Sequence, residues 1–178
     1  LVQKFTETVR GVTKLPLVAK VTPNIADMNE PAMAAKRGGA DGISAINTVA
    51  GISEVGLDDY VPRPNVFGKG AMSGYSGPAI KPIGLKFIAQ MAKNPELALP
   101  LSGMGGIETW VDALEYLLVG ATTVQVTTGI IHYGYRIVED MIEGLSDYMA
   151  RRGIARVADL VGKAVGNVHE TGEFDVMR

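Results

Sequence analysis

The chain has 178 residues, a formal net charge of −2 and no cysteine. This length suits one domain with a sizeable core, and the near-neutral charge argues against nucleic acid or anionic membranes as partners. The absence of cysteine excludes disulfides and thiolate metal sites in this chain. No apolar run approaches the roughly 18 residues of a membrane span, and no basic-plus-apolar leader is visible, so we expect a cytoplasmic protein.

Four short apolar segments, each followed by a helical pattern, organise the chain. The predicted strands lie near residues 15–21, 41–47, 98–102 and 122–126. Helices are predicted at 31–37, at about 82–94, after a capping box of Thr109 and Asp112, at about 134–150 and near 155–164. A Gly- and Pro-rich segment from about 50 to 80 is predicted to be a long loop.

Strands that are apolar throughout and alternate with helices indicate an α/β protein with a parallel sheet. An open doubly wound sheet and a (β/α)8 barrel both fit this pattern. We favour the barrel because no G-x-G-x-x-G motif opens the first unit and because polar residues gather where strands end. A barrel needs eight strands, so four units predict the C-terminal half of a TIM barrel over residues 1–165, with 166–178 as a polar tail or linker.

Pairs of glycines and threonines follow two successive predicted strands. Gly105 and Gly106 come after the third strand, and Thr127 and Thr128 end the fourth. In many barrels a phosphate binds the backbone N–H groups of the last two strand–helix loops, where glycine allows close approach. The spacing is therefore typical of a phosphate site, although glycines also simply end strands and threonines are common in β segments.

Other polar or small residues also lie at predicted strand ends. Lys20 interrupts an apolar strand, which indicates either a fixed cation facing an anionic ligand or a lysine that reaches solvent. Asn47 and Thr48 could bind a planar heterocycle with amide edges, or could merely stabilise a turn. Gly77 would permit close approach of a ligand, or would be an ordinary loop glycine.

Several of these segments resemble, in order, one known family. The resemblance rests on "AKVTPNIADMNEPAMAAKRGGADGISAINTV", "GYSGPAIKPIGL", "SGMGGIETWVDALEYLLVGATTVQV" and "IIHYGYRIVEDMIEGLSDYM". They are similar to the flavin-binding domain of bacterial NAD-dependent dihydropyrimidine dehydrogenase and, more distantly, to dihydroorotate dehydrogenase. The similarity covers about residues 10–165, and "NTV" after "GADG" together with "HYGYRIVEDM" favours the dihydropyrimidine branch.

The resemblance implies an FMN-carrying (β/α)8 barrel that interconverts uracil or thymine and their 5,6-dihydro forms. It implies NADH electrons delivered through a partner subunit or domain with flavin and iron–sulfur centres. By motif, it assigns cofactor contacts to Lys20, Gly77, Gly105, Gly106, Thr127 and Thr128, and pyrimidine contacts to Asn47 and Thr48. It places Lys20 beside the N1/O2 edge of the flavin, where a cation stabilises the negative charge of the reduced ring. Relatives often carry cysteine where Thr127 stands, and either residue presents a backbone N–H.

The chain departs from the family in two respects. The family's general acid is a cysteine or serine on a mobile loop of the N-terminal half, so we identify no catalytic residue here. Iron–sulfur clusters need cysteine thiolates, so this chain cannot hold one. We therefore expect the 178 residues alone to be inactive and to hold FMN weakly or not at all. His132 and His169 have no partner at metal-ligand spacing and are interpreted as structural or solvated.

Two alternative functions stay open on the sequence. One is a dihydroorotate dehydrogenase-type enzyme, which uses the same flavin chemistry on a carboxylated pyrimidine. The other is a truncated, non-catalytic half-barrel that binds a phosphate compound. Four strands would leave two exposed sheet edges, so we also expect the chain to associate with itself.

Overall fold

The computed structural model describes residues 1–169 and has a four-stranded parallel sheet at its centre. In chain order the helices and strands are α1 (Val2–Arg10), β1 (Val18–Lys20), α2 (Asn29–Arg37), β2 (Gly42–Ala45), β3 (Val49–Gly51), β4 (Glu54–Val55), β5 (Pro62–Arg63), β6 (Asn65–Val66), β7 (Lys69–Gly70), β8 (Ser73–Tyr75), α3 (Lys81–Ala92), β9 (Leu101–Met104), α4 (Trp110–Leu118), β10 (Thr123–Gln125), α5 (Thr128–Tyr133) and α6 (Arg136–Arg152). Short 3₁₀ turns lie at Pro78–Ile80, Val157–Leu160 and Val165–Asn167.

The central sheet has the order β1-β2-β9-β10, and every neighbouring pair is parallel. These are the four predicted strands, each within a few residues of its expected position, and they alternate with helices as predicted. The α/β fold class with a parallel sheet is therefore confirmed. Parallel pairing requires a crossover between strands, and α2, α3 and α4 supply the crossovers and pack against the sheet.

The two faces of the sheet differ in chemistry because side chains alternate along a strand. One face carries Ala19, Ile43, Ala45, Leu101 and Val124, whose side chains meet the helices in the hydrophobic core, together with Gly103. The other face carries a row of Lys20, Ser44, Ser102 and Thr123, which occupy one register position on adjacent strands. This one row is therefore polar on all four strands.

The prediction of a long loop from about 50 to 80 is wrong. This segment folds into three antiparallel pairs, β3 with β8, β4 with β5 and β6 with β7. These strands are two or three residues long, too short for an alternating pattern to show in the sequence. The tightest turn places Phe67 and Gly68 at φ 52° and 82°, and phenylalanine in that conformation is not a usual hairpin signal.

Three further differences from the predicted helices and strands are found. Helix α1 was not predicted, and the segment near 155–164 forms a 3₁₀ turn at Val157–Leu160 rather than a short helix. The fourth strand ends at Gln125, and Thr128, which we had placed in it, begins α5. The capping box is confirmed, because the Thr109 side chain accepts from the Asp112 N–H while Asp112 bonds back to the Thr109 N–H.

The predicted boundary between the barrel segment and the tail falls in the 3₁₀ turn Val165–Asn167. Most of the predicted tail, from residue 170 on, lies outside the described residues. Among residues 1–169, no helix combines the length and apolar character that crossing a membrane would require.

Candidate ligand-binding site

A cleft of about 150 Å³ opens at the carboxyl ends of the four central strands. Every residue that the sequence singled out lines it: Lys20, Asn47, Thr48, Gly77, Gly105, Gly106, Thr127 and Thr128. They come from four strand ends and from the segment before α3. The fold therefore brings together side chains and glycines from Lys20 to Thr128, which are 108 residues apart in the sequence.

The glycine pair after β9 has a backbone that other residues would not adopt. Gly105 and Gly106 have φ values of 117° and 70°. A β-carbon added at Gly106 would lie 2.8 Å from Lys81 Cβ and 2.9 Å from the Gly77 carbonyl oxygen. This turn therefore requires glycine both for its conformation and for the close approach of the segment at Gly77.

Several backbone N–H groups at the cleft have no partner within the protein. Among residues 1–169, the N–H groups of Gly105, Gly106, Thr127 and Thr128 donate to no acceptor. These residues are exposed or half-buried, and Thr127 and Thr128 stand at the start of α5, where N–H groups have no partner within the helix, so all four donors are available to a ligand. An anion with several oxygen acceptors suits this arrangement.

Hydroxyl groups complete this end of the cleft. The Thr128 hydroxyl donates to the Ser76 hydroxyl oxygen over 3.3 Å, which ties the start of α5 to the segment before α3. Gly77 follows directly, with φ 92°, and a β-carbon there would come within 3.7 Å of Thr128 Cγ2. Gly77 and Thr128 therefore lie close together.

Lys20 and Asn47 also line the cleft. The Lys20 ammonium group has no ion pair and no hydrogen bond within residues 1–169. The side-chain oxygen Oδ1 of Asn47 accepts a hydrogen bond from the backbone N–H of Thr48 over 2.9 Å. The side-chain N–H groups of Asn47 have no acceptor in the same part of the chain. A cation and a neutral amide donor are therefore both available to a ligand.

Sequence reasoning missed an ion-pair cluster directly behind the glycine turn. Lys81 Nζ lies 2.6 Å from Asp112 Oδ1 and 2.8 Å from Glu115 Oε2. These contacts raise the pKa of Lys81, and the hydrogen bond to Asp112 has the larger effect. Burial alone would raise the pKa of Asp112, but hydrogen bonds from Lys81 and Thr109 outweigh it and hold that pKa below its usual value. The Lys81 charge is thus neutralised by carboxylates, and Lys20 is the cation left for a ligand among the residues lining the cleft.

Glu108 lies at the rim of the cleft, but its carboxylate contacts neighbouring side chains. Its two oxygens lie 3.1 Å from His132 Nδ1 and 3.3 Å from the Tyr133 hydroxyl. His132 therefore has a structural partner, in agreement with its interpretation as a structural residue. Within the part of the chain that the structure describes, no group of three or more His, Asp or Glu side chains could hold a metal ion.

Comparison with known proteins places the chain in a family. The family model for dihydroorotate dehydrogenase matches residues 1–149. The chain is 55% identical over 176 residues to the NAD-dependent dihydropyrimidine dehydrogenase subunit PreA of Escherichia coli K12, covering 98% of this chain and 43% of that protein. It is 40% identical over 164 residues to the dihydroorotate dehydrogenase B (NAD(+)) catalytic subunit of Pyrococcus abyssi, covering 92% of this chain and 52% of that protein. The resemblance found in the sequence is thereby confirmed.

A solved structure agrees with these sequence matches. The ligand-free type DHODH of Eimeria tenella superimposes with a TM-score of 0.64 and 28% identity, covering 83% of this chain and 40% of that one. The chain spans about half the length of the curated relatives it matches. Its four strand–helix units correspond to part of a (β/α)8 barrel, and the chain belongs to the dihydroorotate dehydrogenase family.

Proposed function

We propose that this chain forms the phosphate-binding part of an FMN site in a cytoplasmic oxidoreductase that interconverts uracil or thymine and their 5,6-dihydro forms. The observation that carries the proposal is the set of N–H groups after β9 and β10 that have no acceptor within residues 1–169. Those after β9 belong to a glycine turn in which a β-carbon at Gly106 would clash with its neighbours. The chemical identity of the substrate is supported by the 55% identity to a dihydropyrimidine dehydrogenase subunit.

The residues fit one end of FMN. A phosphate monoester offers several acceptor oxygens, which match the free N–H groups of Gly105, Gly106, Thr127 and Thr128. The cleft of about 150 Å³ is smaller than the roughly 300–1,000 Å³ of typical ligand pockets, so it encloses part of a ligand of this size. The flavin ring of FMN would be covered largely by other parts of the protein.

The protein residues would supply charge and orientation around the cofactor. FMN, when bound, supplies the hydride chemistry of the reaction. Lys20 would provide a positive charge beside the N1/O2 edge of the ring, because its ammonium group is otherwise unpaired in residues 1–169. Asn47 and Thr48 would orient the pyrimidine, with the Asn47 amide N–H groups donating to a ring carbonyl.

Two parts of the reaction are assigned to other segments or chains. We place the general acid that protonates the pyrimidine outside the cleft residues described above. We also propose a partner subunit or domain that oxidises NADH, because the Escherichia coli relative is named a subunit of an NAD-dependent enzyme. Any iron–sulfur cluster would belong to that partner, since this chain has no cysteine.

Reduction of the bound flavin tests this function. The protein isolated from its own cells, with its partners, should carry FMN that is reduced anaerobically by dihydrouracil or dihydrothymine, seen as loss of flavin absorbance. A second candidate is dihydroorotate oxidation, which the family match and the 40% identical relatives favour. Reduction by dihydroorotate and not by dihydrouracil would select that candidate.

A further inference from the structure

The polar face of the central sheet contains a glutamine that bridges three strands. Gln125 on β10 lies two residues after Thr123 and so projects from the same face as Lys20, Ser44 and Ser102. Its Nε2 donates to Ser102 Oγ over 2.8 Å and to Ser44 Oγ over 2.9 Å. The side chain therefore reaches across β9 to the buried Ser44 on β2.

These hydrogen bonds use both N–H groups of the amide. An amide nitrogen carries two hydrogens, and the two serines accept both. Ser102 Oγ also accepts from the Thr123 hydroxyl over 2.9 Å, which holds that serine in place. The carbonyl oxygen Oε1 is the remaining polar atom of Gln125, and it accepts no hydrogen bond within residues 1–169.

The residue with the unused acceptor and the residue with the unused cation share one cleft. Gln125 and Lys20 both line the cleft. Lys20 pairs in register with Ser44, which Gln125 contacts, and neighbouring strands are about 4.8 Å apart. The interior of a barrel sheet is usually filled with branched apolar side chains, so a polar row here calls for a polar ligand. An acceptor next to a cation is complementary to a ring edge in which an N–H adjoins a carbonyl.

We propose that Gln125 is a specificity-determining residue whose Oε1 accepts a hydrogen bond from the ring N3–H of the flavin, next to a carbonyl that faces Lys20. This inference rests on the proposed function, because the ring belongs to the proposed cofactor. The two serines are positioning residues, which hold the amide so that its acceptor faces the ligand.

A methylated flavin tests the assignment directly. We would titrate the full chain with FMN and with N3-methyl-FMN, which lacks the N–H, following the phosphorus NMR signal of each ligand. Gln125 is exposed in the open cleft, and an acceptor that the bound ring covers without giving it a donor lowers the affinity about tenfold or more, so the wild type should prefer FMN by that factor. In Gln125→Met, which keeps the length but has no acceptor, the preference should fall to about one.

Two further variants separate specificity from folding. Gln125→Glu retains an acceptor and should keep a preference for FMN over the methylated flavin. Gln3→Met makes the same chemical change in α1, away from the cleft, and should behave as the wild type. The inference is overturned if Gln125→Met keeps the wild-type preference, or if it weakens both flavins equally. Equal affinities of the wild type for FMN and riboflavin would instead contradict the proposed function.

Discussion

The hydroxyl of Tyr116 donates a hydrogen bond to the carbonyl oxygen of Gly105 over 2.8 Å, from a fully buried position in α4. The ring fits between two glycines, since a β-carbon at Gly84 or Gly103 would overlap it. In a planar trans peptide the C=O and the following N–H point to opposite sides. Tyr116 holds the Gly105 carbonyl toward the core. The N–H of Gly106, in the same peptide unit, therefore points to the opposite side, and Gly106 lines the cleft.

Replacing this tyrosine should destabilise the fold. Tyr116→Phe removes the hydroxyl and leaves the Gly105 carbonyl without its buried donor, at a cost of about 1–2 kcal/mol in the free energy of unfolding. Urea denaturation followed by circular dichroism measures this cost. The matched control is Tyr135→Phe, because Tyr135 is 84% exposed and the change should stay within about 0.5 kcal/mol. Equal stability of Tyr116→Phe and the wild type would show that the hydrogen bond contributes little.

A β-carbon at Gly106 should weaken the binding of FMN to the cleft. Gly106→Ala places a methyl group 2.8 Å from Lys81 Cβ and 2.9 Å from the Gly77 carbonyl oxygen, so the loop must move. Gly153→Ala is a close control, because its φ of 64° is similar and nothing lies within 4 Å of the added carbon. Both carry the left-handed penalty of about 1–2 kcal/mol. Only Gly106→Ala should weaken FMN binding, by about tenfold or more, and equal FMN affinities of the two variants would contradict this.

The Asp112 carboxylate should make stability depend on pH in acid. Its pKa is lowered in the folded chain, so it contributes stability that is present above the unfolded value near 3.9. That contribution is lost as the pH falls through the lower folded pKa. Urea denaturation at several pH values between about 2 and 6 should show a steeper acid loss for the wild type than for Asp112→Asn.

Asp140→Asn is the control for this experiment. Asp140 forms a surface pair with Arg136, four residues earlier on α6, and such pairs contribute little. This variant should therefore follow the wild type. Identical pH profiles for the wild type and Asp112→Asn would contradict the assignment of acid stability to Asp112.

The sequence predicts those parts of the site whose requirements are local. Gly105 and Gly106 follow an apolar strand, and their positive φ values need glycine whatever the rest of the fold does. Lys20 was noticeable as a charge in an apolar strand. Such residues can be located from their own neighbours, whereas Gly77, Asn47 and Thr48 were assigned through the family resemblance.

Residues that act through distant partners could not be found in this way. Gln125 and Ser44 are 81 residues apart, and their hydrogen bond exists only once β2, β9 and β10 align. One signal was present, because Gln125 interrupts an apolar strand just as Lys20 does. Tyr116 had no such signal: it lies among the leucines of an amphipathic helix, and only the gap left by Gly84 and Gly103 reveals its role.

Open sheet edges predict association of the isolated chain. β1 and β10 each have a neighbour on only one side in the central sheet, and unpaired strand edges tend to pair with other chains. Exposed apolar side chains lie near both edges, including Val18 on β1 and Ile131 on α5. Light scattering on the purified chain should give a mass above that of a monomer. A compact monomer at high concentration with cooperative unfolding would contradict this expectation.

The central claim is that the loops after β9 and β10 bind the phosphate of FMN. The most direct test compares the affinities of the 178-residue chain for FMN and for riboflavin, which differ by that phosphate alone. With part of the site present, FMN should bind more weakly than about 1 μM, but at least tenfold more tightly than riboflavin. Equal affinities for the two flavins would contradict the account, because the unpaired N–H groups at this cleft would then have no phosphate to bind.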